Sequence, residues 1–251
     1  MKQRVLVEVC VDSVASAVAA ERGGAARVEL CSDLLEGGIT PSAGLIATVR
    51  SKVSIGLHPI IRPRPGDFFY SDQEIQIMRR DIEAAKELGA DGVVFGILEQ
   101  HGNVDVERTR TLVELARPLS VTFHRAFDMS SDLQRALDGV CQTGADRILT
   151  SGGEQTCLEG IDVIASLVKA GKGRIRIMAG GGIGPRDALN IVERTGVREI
   201  HVGLSSPVAS PMLYRNPRVS ISRALGREYD RVQVLEEDVR TLHRAISLSG
   251  Q

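Results

Sequence analysis

One local pattern occurs four times along the chain and limits the folds open to it. Each copy starts with a glycine and runs directly into a short segment rich in β-branched residues; the copies begin at Gly24, Gly89, Gly144 and Gly196. A glycine at such a point suits the left-handed position that ends a helix. The segment after it is typical of a strand buried on both faces. The pattern therefore predicts four helix–strand junctions, spaced by 65, 55 and 52 residues.

Four further strand-like segments lie between these junctions, at residues 5–9, 55–61, 119–123 and 174–178. Eight strands that alternate with helices predict a parallel sheet. The length of 251 residues matches the roughly 250 of a closed (β/α)8 barrel. An open doubly wound sheet is the alternative, but its glycine-rich turn is missing after the first strand, where residues 10–13 read Cys-Val-Asp-Ser.

Helix starts follow from residues that cap the first turn. Ser13, Ser71 or Asp72, and Ser130 or Ser131 are the expected caps of three helices, and Pro185 suits the first turn of the seventh helix. No linker divides the chain, so residues 1–251 are interpreted as one barrel domain. An extended loop is expected after the eighth strand, at about residues 204–229.

The composition argues against several classes of partner. The net charge is -1, aromatic residues make up 3% and tryptophan is absent, so no nucleic-acid partner is expected. No apolar segment approaches the roughly 18 residues of a membrane span, and the first residues lack the apolar core of a signal peptide. The expected location is the cytoplasm, where the four cysteines would be reduced.

Two carboxylates are expected inside the barrel mouth, where barrel enzymes place their active sites. Because side chains alternate along a strand, Glu8 and Glu29 face inward and are predicted to lie roughly 5 Å apart at their Cβ atoms. Arg62, His124 and Arg125 are the expected partners. These residues form either a structural ion network or an acid–base site, with Glu8 or Glu29 as base and His124 as acid.

Cys10 and Cys31 share the inward faces of the same two strands and form a second predicted pair. Two adjacent thiolates are soft ligands that suit Cu(I). The alternative is a pair of buried cysteines that act as small apolar side chains. Cys141 and Cys157 fall in or near helices and are interpreted as structural or exposed.

The other half of the mouth is predicted to bind an anion. Gly180, Gly181 and Gly182 follow the seventh strand and Ser205 follows the eighth, where many barrels hold phosphate with backbone N–H groups. Tight turn geometry is the alternative reason for these glycines. Arg62, Arg64 and Asp67 belong to a proline-rich segment that is either a carboxylate or phosphate clamp or a solvated loop. No nucleotide cofactor is expected, and the absence of lysine at the strand ends disfavours a Schiff-base aldolase.

The chain resembles the CutC copper homeostasis family in eight motifs that follow one another along nearly its whole length. They are EVCVDSV at 8–14, RVELCS at 27–32, EGGITPS at 36–42, HPIIRPRPGDFFYS at 58–71, VTFHRAFDM at 121–129, RILTSG at 147–152, IMAGGGI at 177–183 and ASPMLYRN at 209–216.

This resemblance implies a cytoplasmic barrel linked to copper tolerance, which assembles as a homodimer or higher homo-oligomer and binds Cu(I) at Cys10 and Cys31. Two positions depart from the pattern of many relatives: Val11 stands where some bacterial members have another cysteine, and Pro65 replaces a glycine. One alternative is a lyase- or isomerase-like enzyme for a small anionic or phosphorylated metabolite, because a copper carrier has no need of the polar mouth. The other alternative is a non-catalytic scaffold.

Overall fold

A computed structural model describes residues 5–220 and 229–247. Eight parallel strands form one sheet around the centre of the molecule. The strands are β1 (Leu6–Val11), β2 (Arg27–Leu30), β3 (Gly56–Pro59), β4 (Gly92–Phe95), β5 (Ser120–Phe123), β6 (Arg147–Thr150), β7 (Arg176–Gly180) and β8 (Glu199–Val202).

The sheet closes on itself as a barrel. Its hydrogen-bonded order is β3-β2-β1-β8-β7-β6-β5-β4, so β1 lies directly beside β8. A parallel bridge between Ile60 and Val94 joins the two remaining edges, and the Ile61 amide donates to the Val94 carbonyl at 2.7 Å. The predicted (β/α)8 barrel is confirmed, and the open sheet is excluded.

Helices connect the strands and cover the outside of the barrel. They are α1 (Val14–Gly23), α2 (Ala43–Arg50), α3 (Asp72–Glu87), α4 (Val106–Ala116), α5 (Leu133–Thr143), α6 (Ile161–Ala170), α7 (Ala188–Thr195) and α8 (Glu236–Ser247), with short 3-10 helices at Leu34–Glu36 and Arg125–Met129. Valines of β1 at positions 7, 9 and 11 are buried. They alternate with the inward-facing residues of that strand, as its pleat requires.

Two of the predicted helix starts are confirmed. Ser13 caps α1, and Ser71 caps α3 in a capping box with Glu74. The start predicted for α5 at Ser130 or Ser131 is wrong: Asp132 caps it by accepting from the Arg135 amide.

Other boundaries also differ from the expectation, and strand β3 is shorter at both ends than predicted. Pro185 lies in a turn before α7 and not in its first turn. Strands β1 and β7 both extend two residues further along the chain than predicted. At β7 the amides of Arg174 and Ile175 still donate to Gly171 in the turn that ends α6, which delays the strand.

The segment after β8 is not a continuous loop. Strand β9 (Ser206–Val208) pairs antiparallel with β10 (Arg231–Gln233), and residues 221–228 of the expected loop lie outside the described residues. α8 then packs on α1, where Gly23 permits close approach because an added Cβ would lie 2.5 Å from that of Val239. Within the described ranges, no helix has both the length and the apolar character needed to cross a bilayer.

Candidate functional site

An ion-pair network occupies the base of the barrel interior, at the amino ends of the strands. Arg27 forms ion pairs with both Glu8 and Glu199, the second at 2.8 Å. Arg147 pairs with the same Glu199 at 2.5 Å and donates to the Thr122 hydroxyl at 3.0 Å. All four charged side chains are buried. This base network satisfies its charges internally, as buried charges require.

Glu8 is the uppermost charge of the base network and does not form the predicted pair with Glu29. In the register of β1 and β2, Glu8 is opposite Arg27, and Glu29 is opposite Cys10. The expected partners of Glu8 are also wrong, since its carboxylate binds Arg27 and His201. Burial alone would raise the pKa of Glu8, but Arg27 and His201 outweigh it and hold that pKa well below its usual range.

The thiol cluster, which comprises Cys10, Cys31 and Glu29, lies one layer nearer the mouth. The two sulfur atoms are 3.7 Å apart, and the Cys31 sulfur lies 3.7 Å from Glu29 Oε2. The donor atoms of all three residues fall within 4.8 Å of one another. The prediction that the two cysteines are neighbours is confirmed. Gly38 packs on this pair, because a Cβ there would lie 3.0 Å from the Cys31 sulfur.

The two thiols of the cluster differ in acidity. A hydrogen bond from Cys31 is the largest cause that lowers the pKa of Cys10 to about 5, against the effect of burial. The same hydrogen bond, together with burial, raises the pKa of Cys31 well above its ordinary value. Burial is also the main reason that the pKa of Glu29 is raised. One thiolate, on Cys10, is therefore favoured near neutral pH.

His201 joins the thiol cluster to Glu8. Its Nδ1 lies 2.8 Å from Glu8 Oε1, and its Nε2 lies 3.7 Å from Glu29 Oε2. Burial opposes its protonation, but Glu29, Cys10 and Glu8 together raise the pKa of His201 well above its ordinary value. Sequence reasoning assigned no role to this residue. The signal that could have found it is its place on β8, which pairs with β1 in a closed barrel.

A cavity of about 790 Å³ opens over the cluster at the carboxyl ends of the strands. Most of the predicted site residues line it, whereas Glu8, Cys31, Arg64 and Gly180 are not among the described lining residues. Those that line it are Cys10, Glu29, Arg62, Asp67, His124, Arg125, Gly181, Gly182 and Ser205. The predicted mouth site is thus brought together in space, while the roles assigned to its members stay predictions.

Arg62 ties two loops of the mouth together. It is buried and donates to the carbonyls of Glu36 at 2.7 Å, Gly38 at 2.8 Å and Gly66 at 2.8 Å. The sequence predicted that Arg62 would pair with the inner carboxylates, Glu8 and Glu29, and it does not. Its guanidinium carbon also lies 5.3 Å from the centre of the Phe68 ring.

His124 presents a hydrogen-bond donor in the cavity wall. Its Nδ1 accepts from the Ala126 amide at 3.2 Å, which places the ring proton on Nε2. That Nε2 is buried and has no partner within residues 5–220 and 229–247. Burial is the main cause, and Arg62 the second, that lowers the pKa of His124 to about 3. The ring is therefore neutral near neutral pH.

Three predicted residues at the rim are held by local contacts. Arg64 pairs with Glu74 at 2.5 Å and with Asp67 at 3.1 Å. Arg125 pairs with Asp128 at 2.8 Å and donates to the Ser151 hydroxyl at 2.6 Å. These contacts fix the loops of the rim, and the predicted role of these residues in anion binding stays a prediction.

The three glycines after the seventh strand have different places. Gly180 is the last residue of β7, where an added Cβ would lie 2.4 Å from Leu149 Cδ1. Gly181 and Gly182 have φ of 120° and 70°, which favour glycine. Turn geometry alone therefore accounts for these two, and their predicted role in anion binding stays a prediction.

Fold and site together define a parallel (β/α)8 barrel protein with a candidate metal centre at the carboxyl ends of its strands. The sequence profile of the CutC family matches residues 5–206. The chain belongs to the CutC family.

Relatives at high identity extend over nearly the whole chain. The chain is 48% identical over 239 residues to a copper homeostasis protein cutC homolog of Mus musculus, covering 95% of this chain and 88% of that protein. The identity, length and coverage are the same for the Homo sapiens homolog. A crystal structure of CutC from Streptococcus agalactiae has 36% identity and a TM-score of 0.74, covering 78% of this chain and 97% of that one.

Proposed function

We propose that this chain is a cytoplasmic copper homeostasis protein that binds one Cu(I) ion through Cys10 and Cys31. The observation that carries the proposal is the 3.7 Å separation of the two sulfur atoms on neighbouring strands. Thiolate is a soft ligand that selects Cu(I) over hard cations. Membership of a family whose mouse and human relatives are named copper homeostasis proteins supports the same function.

The surroundings of the two thiols favour a monovalent soft ion. Cys10 has a pKa lowered to about 5, so it supplies a thiolate, and of the two thiols only Cys31 must lose a proton to an entering ion. Two thiolates and Cu(I) leave one net negative charge. Arg27 lies one layer below and interacts with Glu8, which in turn holds His201 beside Cys10. The two arginines and two glutamates of the base network balance one another, so the ion itself neutralises one of the two thiolate charges.

Anaerobic titration of the reduced protein with Cu(I), against a competing Cu(I) chelator, tests the proposal. We expect one equivalent to bind and the Cys10→Ala/Cys31→Ala variant to lose it. The matched control is Cys141→Ala/Cys157→Ala, which removes the same number of thiols away from the cluster. Circular dichroism checks that both variants fold. Zn(II) in place of Cu(I) tests the preference for the softer ion.

Equal Cu(I) affinity in the two double variants would overturn the proposal, as would wild-type binding too weak to compete with the chelator.

The second candidate function is that of an enzyme that acts on a small anionic metabolite. The observation in its favour is the unpartnered Nε2 donor of His124 in the wall of a cavity of about 790 Å³, far larger than an ion needs. Among the described residues, Arg62 and Arg125 supply positive charge there, although Asp67 and Asp128 also line it. A rise in melting temperature with phosphorylated or carboxylated metabolites would support that reading.

A further inference from the structure

We propose that His201 is the third ligand of the copper ion and that Glu8 is the residue that positions it. This inference rests on the proposed function, because it concerns the same ion. The inference adds a ligand to the thiol pair. The donor atoms that already lie within 4.8 Å of one another belong to Cys10, Cys31 and Glu29, so proximity alone does not select the histidine.

The imidazole of His201 is directed at the thiol cluster from the adjacent strand. β8 pairs with β1 in a register that places His201 opposite Glu8, two residues before Cys10. Its Nε2 lies 3.7 Å from Glu29 Oε2, and that same oxygen lies 3.7 Å from the Cys31 sulfur. The ring is also one of the groups that lower the pKa of Cys10. Nε2, and not Nδ1, is therefore the ring nitrogen on the side of the thiol cluster.

Glu8 fixes the ring from behind. The Glu8 side chain is completely buried, with one oxygen on Arg27 and the other 2.8 Å from His201 Nδ1. An ionised carboxylate can only accept, so Nδ1 carries a proton and donates it. Nε2 is then the nitrogen left to bind metal. Histidine ligands in metal sites typically donate their second nitrogen to a carboxylate in this way.

Ligand chemistry decides between His201 and Glu29 as the third donor. Both flank the sulfur atoms, and their functional atoms are 3.7 Å apart. Imidazole is a common ligand for copper, whereas carboxylate oxygen suits hard cations such as Mg²⁺ and Ca²⁺. Glu29 therefore lies next to the ion without binding it. When Cu(I) enters, the proton of Cys31 and any proton on His201 Nε2 pass to solvent.

X-ray absorption at the copper edge tests the inference on the Cu(I)-loaded protein. We expect two sulfur neighbours and one nitrogen, with the outer-shell scattering of an imidazole ring. His201→Asn keeps a polar group near Glu8 but removes the ring nitrogen. It should lose that scattering and bind Cu(I) at least about tenfold more weakly. Glu29→Gln should keep the imidazole signal, and Cys141→Ala should keep both signal and affinity.

The outcomes separate the two proposals. A wild-type protein that does not bind Cu(I) overturns the proposed function. A wild-type protein that binds Cu(I) with sulfur neighbours only, or an imidazole signal that persists in His201→Asn, overturns the role of His201 and leaves the thiol site intact. NMR of ¹⁵N-histidine-labelled wild-type protein gives a second measurement, which does not depend on whether a variant folds. Only one of the five histidines should show a large Nε2 shift when diamagnetic Cu(I) is added.

Discussion

The base and the mouth of the barrel interior differ in how far their buried polar groups are paired. At the base, Arg27 and Arg147 both bind Glu199, at 2.8 and 2.5 Å. At the mouth, two cysteines lie beside a buried carboxyl group whose pKa is raised, and the Nε2 of His124 has no partner among the described residues. Buried polar groups are normally satisfied. The comparison therefore assigns stability to the base and ligand binding to the mouth.

Glu8 belongs to both regions. Arg27 holds one of its oxygens in the base network, and His201 holds the other beside the thiol cluster. The side chain that completes the ion pairs below is thus the one that orients the histidine above. A rigid base supports an accurately placed site, which is the general requirement for a binding constellation.

Breaking the base network should give the largest loss of stability. Glu199→Gln removes the negative charge that both Arg27 and Arg147 contact. The carboxylate of Glu8 is then the one negative charge of the base network left to balance two buried guanidinium groups. Removing one partner of a buried pair typically costs about 3–5 kcal/mol. We expect a fall of about that size in the free energy of unfolding, measured by urea denaturation.

Arg176→Gln is the matched control for that change. Arg176 also contacts Glu199, at 3.7 Å, but its side chain is 58% exposed. Exposed ion pairs contribute at most about 1 kcal/mol. If the two variants lost similar amounts of stability, the base network would not be the stabilising element that the comparison assigns to it.

Acid should weaken the protein through a histidine between the two regions. Burial, helped by Arg27 and Arg147 and opposed by Glu8, lowers the pKa of His58 to about 4. Above about pH 6.5 the ring is neutral in both the folded and the unfolded chain, so its contribution is complete. Between about pH 6.5 and 4 only the unfolded chain gains the proton. The free energy of unfolding then falls by up to about 1.4 kcal/mol per pH unit, or roughly 3 kcal/mol in total.

Urea denaturation at pH 7, 6, 5 and 4 measures this effect. His58→Gln should lose stability less steeply than the wild type between pH 6.5 and 4, because it has no ring to protonate. His101→Gln, at an exposed position, should follow the wild type. Parallel pH curves for wild type and His58→Gln would show that the acid sensitivity arises from other groups.

Local signals predicted the barrel and the thiol pair. The four glycine-led junctions depend on the end of one helix and the start of the next strand, so the chain carries them within a few residues. The adjacency of Cys10 and Cys31 followed from the alternation of side chains and the pairing of consecutive strands, and it survives the stagger of the strands because diagonal neighbours can still touch. Both properties follow from short-range geometry.

The partners of Glu8 could not be predicted in the same way. The expectation that it pairs with Glu29 assumed no stagger between β1 and β2, whereas the register puts Arg27 opposite Glu8. Stagger is a property of barrel closure and not of any one strand. His201 is 193 residues away from Glu8 in sequence. It becomes a neighbour only because the last strand of the barrel pairs with the first.

The smallest expected effect concerns the rim of the mouth, at the exposed Pro65. The carbonyl of Pro65 accepts from Arg64, and that of Gly66 accepts from Arg62. Pro65→Gly keeps both carbonyls and acts mainly by giving the unfolded chain more freedom, which costs about 0.5–1 kcal/mol. Pro65→Ala should fall between wild type and Pro65→Gly in melting temperature. Since Pro65 is not among the described residues that line the cavity, Cu(I) affinity should stay unchanged in both. A larger loss of stability, or a loss of Cu(I) affinity, would mean that the rigidity of the rim is itself part of the site. The loop that holds Arg62 would then contribute both to stability and to binding, and the base and the mouth could not be separated by these two properties.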